Sequence, residues 1–547
     1  MQRLGFYGLF WLALGGFSHA VSAQSFVVEP YLQRATPSSI EVHWETDETG
    51  ASHVEWGKTR QLDQRAPARE RPSGFGAQLH GAPLSGLLPD TRYFYRVHTG
   101  GLVSDIFDLR TPPEPRAEAA VRMVVMSDMQ LDSRRPHVFR DLVRDGIMPL
   151  VSERARERGQ APALVLIPGD LVRHGERYAE WSEEFFTPIR PLAAHVPLLP
   201  VAGNHDEDSP HYFRYFALPS AGSESSAERW WSSDFSNVRV LGLDSNPQYR
   251  GPEQLAWLAR ALASACAAPQ IDFVFAALHH PELSELWPHG ELAYSGLVSR
   301  ALEKFSARCN KPSVVFSGHT HAYARGHSRD APLTLVGVAS AGGDLDRQGE
   351  HSAHAYPEYV TSQDEYGFVL VDVQAGAAPS FRIRRVSRGT PEHPRDNELR
   401  DEVLVRRYNE PPAQPTLIWP REEQVSPSEL VLTSSRFSDP EADPEGAIQW
   451  QVTGESCDFA RPTLDVWRQF GGAVHGQDNL TSDQDPSLWL GPNWLRLQNL
   501  RSSSTFCYRV RMRDSSLAWS AWSLPASFRT LALPGEQIVQ HAPSRAF

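Results

Sequence analysis

Lysine is almost absent from this chain. Among its 547 residues only Lys58, Lys304 and Lys311 are lysines, so nearly all the positive charge is arginine. The shortage runs through the whole sequence, and we attribute it to genome base composition rather than to one site. Asp and Glu number 66 against 53 Lys and Arg, which gives a net charge of −13. This balance excludes a surface built to coat nucleic acid, whose signature is a basic stripe.

Cysteine is also scarce, and none of the four lies in a pattern typical of a catalytic thiol. In an oxidising compartment four cysteines can form two disulfides. Cys266 and Cys309 fall in one region of the chain, and Cys457 and Cys507 in another. Pairing within each region is the simplest of the three possible connectivities.

Long apolar runs are confined to the start of the sequence. Arg3 precedes a mostly apolar stretch over residues 4–17, and Val21-Ser22-Ala23 stands before Gln24. This pattern is typical of a secretory signal peptide, and its apolar core is too short to span a bilayer comfortably. No cysteine follows it to accept a lipid. We therefore predict that residues 1–23 are removed and that the mature protein is soluble and either secreted or periplasmic, without a transmembrane segment.

The length predicts two to four domains, since one hydrophobic core rarely serves so many residues. Residues 40–44, 53–57 and 93–97 alternate in polarity between Gly, Pro and Asp turns, which is typical of a β-sandwich. The segment around Tyr93 resembles the tyrosine corner of a fibronectin type III domain. We predict such a sandwich over residues 25–113, followed by a stiff linker at Thr111-Pro112-Pro113-Glu114-Pro115.

A second region, residues 118–405, alternates buried strands with helical segments. The apolar runs are residues 123–126, 164–167, 197–201, 238–243, 273–278 and 313–316, and residues 253–262 have helical apolar spacing. This order predicts an α/β domain. In such sheets ligands bind at the carboxyl ends of the strands.

A third region, residues 411–535, is again strand-like. Arg509, Arg511 and Arg513 alternate, so they share one face of a strand, and Trp519-Ser520-Ala521-Trp522-Ser523 follows. The guanidinium planes can interleave with the two tryptophans by cation–π stacking. The patch resembles the Trp-Ser-x-Trp-Ser box of some fibronectin type III domains, which implies a second sandwich of that kind and a structural role.

Five short polar blocks carry the chemistry, and each closes an apolar run of the α/β region. They are Asp128-Met129-Gln130, Gly169-Asp170, Gly203-Asn204-His205-Asp206, His279-His280-Pro281 and Gly318-His319-Thr320-His321. Carboxylates, an amide and imidazoles without a thiolate suit two divalent cations and hydrolysis rather than electron transfer. Alone, the second block fits an ordinary helix N-cap, and a histidine at a strand end is usually just a satisfied polar group. Together the blocks predict a metal centre.

In this order the blocks resemble those of the calcineurin-like metallophosphoesterase superfamily. The likeness covers residues 120–345, and the preceding sandwich together with Ala341-Gly342-Gly343 resembles the purple acid phosphatase layout. The resemblance implies a central four-layer α/β/β/α sandwich flanked by two fibronectin type III-like β-sandwiches.

The same resemblance implies two bound metal ions and assigns their ligands. One metal would be held by Asp128, Gln130, Asp170 and His321, and the other by Asp170, Asn204, His279 and His319. His205 would be the general acid. Asp206 would either orient the His205 imidazole or cap a turn. Two cations about 4 Å apart would activate a water and stabilise in-line displacement at phosphorus.

Two departures from the purple acid phosphatase pattern bear on the metals. The metal-binding tyrosine expected after Gly169-Asp170 is missing, and the next tyrosine is Tyr178. A purple colour is therefore not expected. Gln130 stands where the superfamily most often has His. Its carbonyl is a harder ligand, favouring Mn²⁺, Fe or Mg²⁺ at that position, and it can also bind through water. The identity of the metals, Fe, Mn or Zn, stays open.

The sequence thus predicts an exported metallophosphoesterase acting on a phosphorylated small molecule, with phosphomonoesters favoured. Two alternatives remain: a phosphodiesterase or nucleotide hydrolase of the same fold, and a non-catalytic binding protein whose flanking sandwiches contact a cell surface or a polymer.

Overall fold

The computed structural model describes residues 25–47, 49–73, 75–115, 118–219, 228–351, 356–470, 489–491 and 493–532. The predicted signal peptide, residues 1–23, lies outside the described residues. Within the described part of the chain, no helix is long and apolar enough to cross a membrane.

The first unit is a β-sandwich of two sheets, with strand orders β1-β2-β6-β5 and β4-β3-β7-β8, the last sheet also holding β9 beside β7. Its strands are β1 (Phe26–Thr36), β2 (Ser39–Thr46), β3 (Ser52–Gly57), β4 (Gln64–Pro67), β5 (Arg69–Pro72), β6 (Gln78–Ser85), β7 (Arg92–Thr99), β8 (Leu102–Val103) and β9 (Phe107–Arg110). The hydroxyl of Tyr93 accepts a hydrogen bond from the backbone N–H of Leu88 at 2.9 Å. This contact confirms the predicted tyrosine corner.

The second unit holds two sheets and most of the helices. The six-stranded sheet has the order β12-β11-β10-β20-β21-β22, and the seven-stranded sheet has the order β13-β14-β15-β16-β18-β17-β19. The strands are β10 (Val121–Val125), β11 (Leu164–Ile167), β12 (Leu198–Pro200), β13 (Trp231–Phe235), β14 (Val238–Gly242), β15 (Phe273–Leu278), β16 (Ser313–Ser317), β17 (Tyr323–His327), β18 (Leu333–Val338), β19 (Tyr359–Gln363), β20 (Tyr366–Gln374), β21 (Ser380–Gly389) and β22 (Pro394–Arg406).

Seven α-helices of the described residues lie in this unit. They are α1 (Val138–Asp141), α2 (Glu153–Glu157), α3 (Tyr178–Glu180), α4 (Thr187–Ala193), α5 (Pro210–Tyr215), α6 (Pro252–Ala267) and α7 (Ala293–Cys309). Shorter turns extend them: π-helical at Leu142–Ile147 and Trp181–Phe186, and 3₁₀ at Met148–Val151, Pro247–Tyr249 and Pro288–Gly290.

The side chains of β15 show how the layers are stacked. Phe273 and Phe275 face the six-stranded sheet, where their rings meet that of Phe381 edge-on at centroid distances of 5.1 and 5.3 Å. The intervening residues Val274 and Ala276 join a core with α6 and α7 on the opposite face. A strand buried on both faces is apolar throughout, as predicted. The order of layers is therefore helix, sheet, sheet, helix, and the predicted fold class is confirmed.

The N-terminal sandwich docks on the helical layer that covers the six-stranded sheet. Glu45 is fully buried, and its carboxylate accepts hydrogen bonds from the hydroxyls of Tyr178 at 2.8 Å and Tyr215 at 2.9 Å. The hydroxyl of Tyr31 donates to the carbonyl of Tyr215 at 2.7 Å. The two units are thus joined by buried polar contacts of defined geometry.

The third unit is a sandwich of two sheets, ordered β23-β25-β29-β28 and β24-β31-β30-β26-β27. Its strands are β23 (Leu417–Trp419), β24 (Gln424–Val425), β25 (Glu429–Ser434), β26 (Glu445–Thr453), β27 (Leu464–Gln469), β28 (Trp489–Gly491), β29 (Trp494–Gln498), β30 (Thr505–Asp514) and β31 (Ala526–Thr530). Two disulfides, Cys266–Cys309 and Cys457–Cys507, confirm pairing within each region.

The predicted arginine–tryptophan stack forms on β30. The guanidinium carbon of Arg509 lies 4.2 Å from the ring centroid of Trp522, and that of Arg511 lies 4.3 Å from Trp519. Arg511 also donates to the Asp330 carboxylate at 2.7 Å, across to the turn between β17 and β18. The stack thus reaches the α/β unit at this turn, where the buried guanidinium of Arg513 also donates to the carbonyl of Ser328 at 2.7 Å.

Replacing Phe381 tests the packing of the two central sheets. Phe381→Ala removes a ring that is fully buried between them, so we expect the free energy of unfolding to fall by about 3–5 kcal/mol. Urea denaturation followed by tryptophan fluorescence measures this loss. Leu524→Ala is the control, because that side chain is 80% exposed. Equal stability of the two variants would contradict the layer arrangement.

Candidate metal centre

The five polar blocks follow the carboxyl ends of strands in the two central sheets. β10, β11 and β12 run parallel in one sheet, and β15 and β16 run parallel in the other. Because the two sheets stack face to face, the loops after these strands meet at one edge. All seven predicted metal ligands lie in those loops.

Three of the predicted ligands have left-handed backbone conformations. The φ angles are +60° at Asp128, +53° at Asp170 and +70° at His319. Non-glycine residues rarely adopt this region, and they persist there only when the surrounding structure holds them. Gly169 has φ +91°, and a Cβ at this position would lie 2.5 Å from Nδ1 of His279. Tight packing of backbone against ligand therefore requires glycine here.

Asp128 is fully buried and held by its neighbours in the chain and in the site. The Ser127 hydroxyl donates to its carboxylate at 2.5 Å. The backbone N–H of His319 donates to both carboxylate oxygens at 3.0 and 3.1 Å. Nε2 of His321 lies 3.3 Å from Oδ1. These contacts link the first block to the last.

Asp170 and His279 form the second buried pair. The backbone N–H of His205 donates to Oδ1 of Asp170 at 2.8 Å, while Oδ2 lies 3.2 Å from Nε2 of His279. His279 uses its Nδ1–H to donate to the Pro168 carbonyl at 2.9 Å. Its Nε2 therefore faces Asp170 and the side-chain oxygen of Asn204, which is 2.9 Å away.

The electrostatics of this pair call for a cation. Burial alone would lower the pKa of His279, but the charge of Asp170 raises it to about 9. The neighbouring imidazolium in turn outweighs burial and lowers the pKa of Asp170. A buried carboxylate is stable only beside positive charge. The site thus attracts positive charge at the position where the predicted ligands converge.

The last block is fixed by the loop that follows β18. Nδ1–H of His321 donates to the carbonyl of Asp344 at 2.6 Å, and its backbone N–H donates to the Asp346 carboxylate at 2.7 Å. His319 packs its ring 5.0 Å from that of His279 and 5.1 Å from that of Trp287. Burial, followed by the charge of His279, lowers the pKa of His319 to about 3. Its imidazole is therefore neutral, the form that binds metals.

The donor set fits two metal ions. The ligand atoms of Asp128, Asp170 and His279 lie within 4.8 Å of one another. Oδ2 of Asp170 and Oε1 of Gln130 are buried and have no hydrogen-bond partner among the described residues. The amide nitrogen of Gln130 lies 3.0 Å from Nε2 of His321. Rotating this amide by half a turn would therefore place its oxygen beside that imidazole nitrogen. Buried oxygens of this kind normally have a partner, and a cation supplies one.

Asp206 supports the backbone of the site and does not take part in the reaction. Its buried carboxylate accepts the backbone N–H groups of Gly203 at 2.7 Å, Leu171 at 3.0 Å and Asp170 at 3.1 Å. Burial and the charge of Asp170 raise the pKa of Asp206, and the N–H donors of Gly203 and Leu171 oppose that rise by stabilising the carboxylate. Asp206 thus caps the turns that carry the ligands. Of the two roles predicted for Asp206, capping a turn agrees with these contacts, whereas orienting the His205 imidazole does not.

The His205 ring is oriented by the backbone instead. Its Nδ1 lies 2.8 Å from the carbonyl oxygen of Arg173, to which it donates. A backbone carbonyl carries no residue-type signal, so the sequence could not point to this contact. The arrangement leaves Nε2 as the nitrogen that exchanges a proton.

Several supporting residues were not predicted. Glu184 is buried and accepts the backbone N–H groups of Leu131 at 3.2 Å and Arg173 at 2.9 Å, tying two of the ligand loops together. Asp344 and Asp346 follow the Gly342-Gly343 pair in the sequence. Because that pair belongs to the family pattern, its position could have pointed to these two residues as supports of the site. Tyr178, the nearest tyrosine after Asp170, bonds to Glu45 in the domain interface.

Two family models match this chain. The model of the calcineurin-like phosphoesterase family matches residues 121–323. The model of the purple acid phosphatase N-terminal domain matches residues 28–111. The first range contains all the strand-end blocks described above, and the second coincides with the N-terminal sandwich.

Curated relatives are similar at low identity. The chain is 25% identical over 287 residues to "Probable inactive purple acid phosphatase 27" of Arabidopsis thaliana, covering 48% of this chain and 46% of the relative. It is 23% identical over 282 residues to "Purple acid phosphatase 23" of the same plant, covering 45% and 57%. A "Phosphoenolpyruvate phosphatase" of Allium cepa is 23% identical over 385 residues, covering 64% and 73%. The chain thus spans slightly under half the length of the first of these relatives.

Solved structures share the fold. The purple acid phosphatase PPD1 from yellow lupin (Lupinus luteus) seeds superposes with a TM-score of 0.52 at 17% identity, covering 69% of this chain and 74% of that one. PhoD superposes with a TM-score of 0.53 at 12% identity, covering 70% and 90%.

Asp206→Asn tests the capping role. The amide keeps the shape of the carboxylate but places an NH₂ group against backbone donors, so part of the buried cap is lost. We expect a roughly tenfold or larger loss of metal affinity, as is typical when a residue supporting a ligand is replaced. Elemental analysis after dialysis against a buffered metal solution measures it. Asp234→Asn, at a partly exposed pair with Arg239, should keep its metal. Full metal content in Asp206→Asn would contradict the cap.

Proposed function

Because the chain carries a calcineurin-like phosphoesterase domain preceded by a purple acid phosphatase N-terminal domain, we propose that it is an exported dinuclear-metal phosphoesterase acting on phosphomonoesters. The observation that supports the proposal is the proximity of the predicted ligands to one another, together with the buried oxygens of Asp170 and Gln130, which have no hydrogen-bond partner among the described residues. A scaffold that had lost its chemistry would be expected to lose such ligands.

The names of the relatives are compatible with either an active or an inactive protein. Some are named probable inactive enzymes, whereas others are named phosphatases. The intact donor set of this chain supports an active protein. The name of the Allium cepa relative specifies a phosphate monoester as the substrate of that protein, which supports monoesters here.

The ligands divide as the superfamily pattern implies. Asp128, Gln130 and His321 would hold one cation, Asn204, His279 and His319 the other, and Asp170 both. Cations bound there supply the chemistry of two-metal hydrolysis, activating a water and offsetting the charge on the phosphate.

His205 is the proton donor in this proposal. The Arg173 carbonyl accepts from Nδ1–H and so leaves Nε2 as the nitrogen that carries the transferred proton. Nε2–H can then protonate the leaving oxygen as its bond to phosphorus breaks. The carbonyl also fixes the orientation of the ring, so the proton is delivered from one direction.

Export is proposed from two observations. The first is the signal-peptide pattern of residues 1–23. The second is the presence of two disulfides, which form and persist in oxidising compartments. The substrate partner is then a phosphorylated small molecule outside the cytoplasm.

His205→Ala tests the proton donor. Because His205 is not among the metal ligands, we expect kcat to fall about 10²–10⁴-fold while the metal content is nearly unchanged. Steady-state kinetics and elemental analysis of the same preparation give both quantities. His53→Ala on the N-terminal sandwich is the control. If metal disappears together with activity, His205 is a ligand and the assignment fails.

The function itself is tested by reconstitution. Protein stripped of metal is reloaded with Mn²⁺, Fe or Zn²⁺ and assayed on p-nitrophenyl phosphate and bis-p-nitrophenyl phosphate. We expect hydrolysis of the monoester to exceed that of the diester. Preference for the diester would make the protein a phosphodiesterase, and no hydrolysis of either would favour the binding-protein alternative.

A further inference from the structure

A cavity of about 360 Å³ lies at the edge of the α/β unit and contains none of the metal ligands. Its walls come from the loop that follows Gln130, from α1, and from the ends of β20 and β21. Arginines and apolar residues share the lining, with Arg134, Arg135 and Arg388 among the first and Val138, Leu142 and Pro391 among the second. The volume falls within the range of about 300–1,000 Å³ of small-molecule sites.

The cavity adjoins the metal centre. β20 is antiparallel to β10, with Val125 opposite Val369, so Tyr366 at the start of β20 lies at the sheet edge to which β10 delivers Asp128. Arg134 contacts the carboxylate of Asp344, and the carbonyl of the same Asp344 accepts the hydrogen bond from His321. A single residue thus connects the cavity wall to a metal ligand.

Two of its arginines have weak partners. Arg388 lies 3.0 Å from Asp396, whose side chain is 99% exposed, and its contact with the side-chain oxygen of Asn397 is long, at 3.4 Å. Arg135 donates to the Tyr366 hydroxyl at 3.2 Å and lies 4.0 Å from Glu392, which is also exposed. Ion pairs with such exposed partners contribute little. An incoming anion can therefore replace them.

The acidic residue in the cavity lining does not cancel this attraction. Asp141 also lines the cavity, but it lies 3.1 Å from both Arg140 and Arg144. Guanidinium groups bind carboxylates and phosphates through paired N–H donors. In a chain with a net charge of −13, this concentration of arginine beside the candidate metal centre favours anion recognition at one place.

We propose that the cavity is an anion subsite, which holds a second phosphate or a carboxylate of the substrate while the scissile phosphate is at the metals. The inference rests on the proposed function and narrows it to phosphomonoesters that carry a second anionic group. Arg135 and Arg388, whose side chains are 20% and 23% exposed, are better shielded from water than Arg134, and this strengthens their pairing with that group.

Matched substrates test the subsite. The kcat/KM for phosphate release is compared between fructose 1,6-bisphosphate and fructose 6-phosphate, and between 3-phosphoglycerate and glycerol 3-phosphate. The wild type should prefer the doubly anionic member of at least one pair. A preference in the first pair indicates recognition of a phosphate, and a preference in the second indicates recognition of a carboxylate.

The readout is the ratio within each pair. In Arg388→Ala the ratio should fall roughly tenfold, because one charge-assisted hydrogen bond to the second anionic group is lost. Arg135→Gln gives a second reading in case the first variant misfolds. Arg154→Ala, an exposed arginine of α2 outside the cavity, should keep the wild-type ratio. A ratio unchanged in both cavity variants, or reduced equally in Arg154→Ala, overturns the subsite.

Failure of the proposed function is distinguishable from failure of the subsite. If the reconstituted wild type hydrolyses none of the four compounds, the proposed function has failed. Isothermal titration with fructose 1,6-bisphosphate then decides the subsite: weaker binding to Arg388→Ala than to wild type supports it, and equal affinity overturns it.

Discussion

The burial of two carboxylates, those of Asp128 and Asp170, constrains every group that surrounds them. Both side chains are almost completely buried, and a buried charge is tolerated only with strong compensation. Serine and backbone N–H groups satisfy some of their oxygens, and imidazoles approach the rest. The two stacked sheets bring these groups together from strands that are far apart in sequence. The centre is therefore a consequence of the sheet arrangement as much as of the motifs.

The sequence predicted most of what depends on local pattern. Apolar runs ending in polar blocks predicted the strands and the edge at which the ligands meet, because strand direction alone brings carboxyl ends together. The alternation of Arg509, Arg511 and Arg513 predicted their stack with the tryptophans, since period two is a property of any strand. Cysteine pairing followed from the division of the chain into regions.

What could not be predicted depends on contacts across the fold. Asp206 had two interpretations because its partners include Asp170 and Leu171, about 35 residues earlier, and only the fold brings them together. The carbonyls of Arg173 and Pro168 orient His205 and His279, yet any residue type supplies a carbonyl. The sequence indicated that no tyrosine takes the metal-binding place after Asp170, but it could not show that Tyr178 donates to Glu45 of the sandwich.

The left-handed backbone at Asp128, Asp170 and His319 has a consequence for which substitutions the site can accept. Residues other than glycine keep this conformation only where the surrounding fold holds them, and here glycine packing and the Asp206 cap take part. The geometry of the ligands therefore depends on residues that are not ligands themselves. A side chain added at Gly169 would disturb the site as directly as the loss of a ligand.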